Sequence, residues 1–130
     1  MQKVATIAGQ IIFKAPVVGK MTATNILDGC KAVGMRPVCY DESYADSNCV
    51  ITRDDIENAG APTHLFGLIL RALCWGDPDY GWINCLKKFP AFQDIFTYMH
   101  NYSSGSCGTN RKDYSCNGNS KTNLFAACVI

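Results

Sequence analysis

Histidine is scarce in this chain, closely spaced thiols are missing, and neither sign of charge dominates. Two histidines, His64 and His100, occur in 130 residues. That leaves little material for imidazole catalysis, and no G-x-S-x-G motif marks a serine nucleophile. The eight cysteines never approach as C-x-x-C; neighbours such as Cys30 and Cys39, or Cys107 and Cys116, have at least eight residues between them. Two thiolates that far apart do not converge on a zinc ion from one tight turn. Twelve basic residues stand against eleven acidic ones, a net charge of +1, so no broad electrostatic attraction to nucleic acid or to an anionic membrane is expected. No apolar run approaches the roughly eighteen residues of a spanning helix, so direct membrane insertion is not expected either.

What is present points to a folded, covalently stapled domain. Hydrophobic residues make up 48% of the chain and charged ones 18%, the reverse of a disordered composition. The length suits one domain, and one this small gains materially from cross-links. Cys30, Cys39, Cys49, Cys74, Cys85, Cys107, Cys116 and Cys128 form an even set, which reads as a framework of four disulfides. Each bridge is expected to contribute about 2–4 kcal/mol, mainly by restricting the unfolded chain. The pairing is open, since eight cysteines allow on the order of a hundred connectivities. Oxidised cysteines place the chain outside the cell, as a mature secreted domain or a module of a larger precursor. The opening MQKVATIAGQIIFKAPVVGK imitates a secretory leader, but Gln10 interrupts its apolar run and no small-residue cleavage site follows. It is read as strand, with Met1 as an added start.

The local signals predict an α+β domain with an antiparallel sheet and one or two short helices, spanning 1–130 as a single unit. Residues 1–20 form an N-terminal strand segment, and 21–128 the cysteine-bearing part. The β-branched run VATIAGQIIF, residues 4–13, predicts a strand with Gly9 as a bulge, ending before Pro16. MTATNILDGCKAVGM predicts a helix: Thr22 or Thr24 offers an N-cap, Ile26, Leu27, Cys30 and Val33 recur at helical spacing, and Gly34 suits the left-handed C-terminal position. RPVCY reads as a short edge strand because of Pro37. Thr52 with Asp55 resembles a capping box for a short second helix ending at Gly60, and LFGLILRALCWG fits a buried helix or a buried strand equally. GDPDYGW is turn chemistry. DIFTYMHNY alternates as a strand, with Phe96, Tyr98 and His100 on one face, and NLFAACVI closes the domain as a final strand.

Candidate sites follow from exposed chemistry. Trp75, Tyr80 and Trp82, with Asp77, Asp79 and Asn84 beside them, combine apolar faces with hydroxyl-binding groups, a pattern suited to a saccharide or another flat ligand; Tyr44 is a further loop aromatic. The plainer reading is that Trp75 packs on the bridge of Cys74. Two carboxylate groups, Asp41, Glu42 and Asp46 with Asn48, and Asp77 with Asp79, offer oxygens for calcium, which wants about six to eight. Neither follows an EF-hand spacing, and such loops are also ordinary turn formers. No other cofactor and no other metal is expected. Asn101-Tyr102-Ser103 is the only N-x-S/T triplet and marks a glycan acceptor on a turn. Between Cys107 and Cys116, Arg111 and Lys112 are offset by Asp113, so that loop is read as stapled in shape rather than as a polyanion clamp.

The segments GKMTATNILDGCKAVGMRPVC and SCGTNRKDYSCNGNSKTNLFAACVI carry a resemblance. Through Met21, Thr22, Asn25, Cys30, Gly34, Met35, Pro37 and Cys39, then Cys107, Gly108, Cys116, Asn117, Gly118, Asn119, Asn123, Phe125, Ala126 and Cys128, the chain resembles a cysteine-rich extracellular module. That module is repeated in large secreted or membrane-anchored proteins of lancelets and other marine invertebrates. The resemblance implies an extracellular location and modular use, with no biochemical activity attached. The expectation is therefore a non-enzymatic module for recognition, adhesion or matrix assembly, with an extracellular protein or glycan as partner. A lectin-like carbohydrate-binding module is the first alternative, and a small secreted hydrolase using His64 or His100 the second.

Overall fold

The described residues of this computed structural model are 2–7, 9–51, 90–108 and 116–130. The expected second helix, the LFGLILRALCWG and GDPDYGW segments, His64, Cys74, Cys85 and the cluster Trp75, Asp77, Asp79, Tyr80, Trp82 and Asn84 lie outside them.

The N-terminal segment is a hairpin, where the sequence predicted one bulged strand. Strand β1, Gln2–Ile7, pairs antiparallel with β2, Gln10–Pro16, and Ile7 faces Gln10 across the ladder. Gly9, with φ of +78°, turns the chain back rather than bulging it: a positive φ is what a tight hairpin turn demands and what glycine adopts without strain. The register shift falls instead between Lys3 and Ala5.

Helix α1, Ala23–Lys31, forms as its caps predict. Thr22 accepts a hydrogen bond from the Asn25 amide at 3.3 Å, and the chain leaves through Gly34 at φ +74°. Its apolar stripe buries Ile26 and Cys30.

Strand β5, Phe125–Val129, is the axis of the sheet. One of its edges carries β2 in antiparallel register, Phe13 opposite Cys128 and Ala15 opposite Ala126. The other edge is shared in succession by β3, Arg36–Pro37, antiparallel, and β4, Ile95–Phe96, parallel. The order β1-β2-β5-β3, with β4 also on β5, confirms the predicted α+β domain with an antiparallel sheet; β4 adds one parallel pairing to it. β3 takes the edge position that Pro37 predicted.

Alternation sorts the side chains of β2 and β5. Ala15, Ala126 and Cys128 join Val17, Met21, Ile26, Cys30, Met35 and Phe96 in the core under α1, with Phe13 packed against it. Ile12, Ala127 and Val129, on the opposite face, are also fully or almost fully buried. A strand buried on both faces must be apolar throughout, and AACV is. Residues 95–99 are likewise all buried, so the predicted two-faced alternation of DIFTYMHNY begins to show only at His100, which is exposed.

Three disulfides hold the described residues: Cys30 to Cys128, Cys39 to Cys49, and Cys107 to Cys116. The first pins α1 to β5, the second closes the loop after β3, and the third joins the two ends of the Arg111-containing loop to each other. Beside that third bridge the chain packs backbone to backbone. The Gly118 amide donates to the Ser106 carbonyl and the Ser106 amide to the Met21 carbonyl, both at 3.1 Å. A Cβ on Gly118 would run into the Met21 carbonyl and the Ser106 backbone.

Candidate functional site

The loop closed by Cys39–Cys49 is rich in Asp, Ser and Asn, and its side chains organise it from within. Asp41 accepts from the Ser43 and Tyr44 amides at 2.9 and 3.2 Å, which caps the 3-10 turn Glu42–Tyr44. Asp46 does the same for the Asn48 amide at 2.8 Å. These are the local side-chain turns that such residues form readily.

Asp46 then reaches across the fold. Its Oδ2 accepts from the Tyr98 hydroxyl at 2.7 Å, over a sequence distance of 52 residues, and meets His100 Nδ1 at 2.9 Å. The His100 backbone amide donates to the Tyr44 carbonyl at 2.8 Å, which fixes the main chain from which the ring projects. With the ring proton on Nδ1 toward the carboxylate, Nε2 accepts from Asn101 Nδ2 at 2.9 Å. A carboxylate, a phenol, an imidazole and a carboxamide are thereby joined in one chain of hydrogen bonds.

The charges respond accordingly. Partial burial pushes the Asp46 carboxyl up, but the bonds from the Tyr98 hydroxyl and the Asn48 amide, with the pull of His100, outweigh it and leave the group below its ordinary value. Burial, joined by the bond to the Asp46 anion, raises the Tyr98 phenol above its usual range. Asp46 is thus ionised and Tyr98 neutral across the physiological range.

This network forms one wall of an open cleft of about 380 Å3. Thr22, Thr24 and Leu27, from the first turns of α1, form the other wall, and Asn101 and Tyr102 stand at its side. Tyr102 meets Tyr44 edge to face, with ring centroids 5.4 Å apart, a favourable aromatic geometry. The lining therefore combines tyrosine rings and Leu27 with hydrogen-bonding groups of both kinds.

The structure brings together residues that the sequence placed in separate candidates. Asp46 and Asn48 came from the calcium group, His100 from the hydrolase reading, Asn101 from the sequon, and Tyr44 from the loop aromatics. Asp41 and Asp46 are engaged with amides, a phenol and an imidazole, and no group of three or more His, Cys, Asp or Glu is arranged for a metal ion among the described residues. Sequence reasoning missed Tyr98, Tyr102 and the α1 turn. The signal for Tyr98 was its i, i+2 relation to His100, which puts both side chains on one face of an extended segment.

No protein-family model, no curated protein and no solved structure matches the chain.

Proposed function

We propose that the protein is an extracellular recognition module, non-enzymatic, whose binding surface is the cleft between α1 and the Asp46–His100 network. Its ligand is a neutral, hydroxyl-rich one of the saccharide class. The observation that carries this reading is the network itself: one carboxylate orients Tyr98 and His100 directly, and Asn101 through His100, around a cleft of ligand size. Donors and acceptors held in place beforehand lower the ordering cost of binding. A hydroxyl group both donates and accepts, which suits a cleft lined by carboxamides, a carboxylate and two threonines, and ring surface suits the apolar face of a sugar.

Three disulfides among the described residues of a small domain support the extracellular placement, because such bridges persist in oxidising compartments. No described helix is long and apolar enough to cross a membrane. The resemblance to invertebrate extracellular modules agrees with this placement.

The test is a glycan array probed with the oxidised protein, followed by titration of any hit against His100→Ala and Asn48→Ala. A saccharide bound by the parent chain and weakened about tenfold or more by either change, the scale of one lost well-placed hydrogen bond, supports the cleft. Silence across the array, or a hit indifferent to both changes, removes the proposal.

A further inference from the structure

The sequon Asn101-Tyr102-Ser103 sits at the rim of the cleft in a geometry that can carry a sugar. Asn101 is exposed, with backbone φ of +59°. It stands between the buried 95–99 segment and a turn closed by the Gly105 amide on the Tyr102 carbonyl at 3.2 Å. Ser103 is exposed too, and its carbonyl is anchored by Asn119 Nδ2 at 2.7 Å. The acceptor amide and the hydroxyl-bearing residue therefore both face solvent on a turn that is fastened at its base.

A left-handed backbone alone accounts for an asparagine at 101, as it does for Asp94 and Asn123, at φ +62° and +57°. It does not account for a serine two residues later. Of the three, Asn101 is the one whose side-chain nitrogen meets an imidazole. Nδ2 makes its bond to His100 Nε2, an exposed ring atom at 2.9 Å, and a carboxamide nitrogen has two hydrogens. Replacing one by a sugar leaves one N–H, enough in number for the single bond that the imidazole accepts.

We infer that Asn101 is an N-glycosylation site, and that its glycan is rooted on the lip of the cleft without disturbing the Asp46–His100–Asn101 network. The transfer joins Nδ2 to the anomeric carbon of an oligosaccharide carried on a lipid diphosphate. The anomeric carbon–oxygen bond breaks, the diphosphate leaves with the electron pair, and one amide proton passes to a base of the transferring enzyme. A glycan at this lip limits the size of what enters the cleft from that side. The inference rests on the extracellular placement proposed above and not on the cleft's ligand.

The experiment translates the full chain behind a cleavable leader in the presence of microsomes, then reads protease-protected chains for a mobility step that an N-glycan endoglycosidase removes. One step is expected in the parent chain and in Ser103→Thr, and none in Ser103→Ala or Asn101→Gln. The disulfide map of the glycosylated product is then compared with that of Ser103→Ala. Identical maps, containing Cys30–Cys128, Cys39–Cys49 and Cys107–Cys116, support a fold that accommodates the sugar. Translocated chains without the step overturn the inference, as does a glycosylated chain that forms different bridges. Because the readout is mass and pairing, its outcome is separate from that of the glycan array.

Discussion

At the scale of single residues, Asp46 does more than its sequence context announces. An aspartate followed two residues later by asparagine is a turn-forming pair, and it does make that turn. The same carboxylate also takes the Tyr98 phenol and the His100 ring, so its ionisation is tied to the folded state. Its folded value lies below the ordinary 3.8. The stabilisation is therefore complete above about the unfolded carboxylate value and is lost as pH falls through the lower, folded one. Chemical unfolding between about pH 2 and pH 6 should show parent stability falling on the acid side by more than that of Asp46→Asn. An unchanged slope in the variant would place the acid sensitivity elsewhere. Tyr98 titrates in the opposite sense: its raised value means that its contribution is fully present below the ordinary phenol value and lost as pH rises through the higher, folded one.

At the scale of elements, the loop after β3 is a turn-capped segment with a covalent clasp. Cys39 and Cys49 are separated by 10 in sequence, for which chain-entropy arguments give about 2.7 kcal/mol. Its importance is local, since the clasped residues include Tyr44, Asp46 and Asn48. Replacing both cysteines by alanine should speed hydrogen exchange at the Ser43, Tyr44 and Asn48 amides far more than in β5. Uniform acceleration through the molecule would show that the clasp serves global stability instead. The N-terminal hairpin illustrates a second point. VATIAGQIIF contains one glycine, which serves a bulge or a turn equally well by residue type, and only the pairing of Ile7 with Gln10 decides between them.

At the scale of the whole molecule, Cys30–Cys128 is the longest tie among the described residues, spanning 98 positions. It links α1 to the central strand, so it closes nearly the whole cysteine-bearing region into one loop. The same entropy argument gives about 4.7 kcal/mol for a loop of that length, a large share of the roughly 5–15 kcal/mol typical of folded domains. Denaturant unfolding of the double alanine variants should rank Cys30/Cys128 as clearly more costly than Cys39/Cys49. Equal losses would show that cavity and strain effects override loop length.

By itself, the sequence determined the features that depend on a residue and its near neighbours. These are the Thr22 cap and Gly34 exit of α1, the edge position of Pro37, the Asp and Asn turns, the strand character of FAACV, and a cysteine content suited to bridges. Backbone sterics and side-chain turns act within about four residues, so they are legible in order along the chain. The tertiary structure alone decided how the six described cysteines pair, that β2, β3 and β4 all join β5, and that Asp46 meets Tyr98 and His100 across half a hundred positions. Those outcomes depend on which distant segments the core draws together. Their physical cause is loop closure repaid by burial, a property of the assembled chain rather than of any stretch of it.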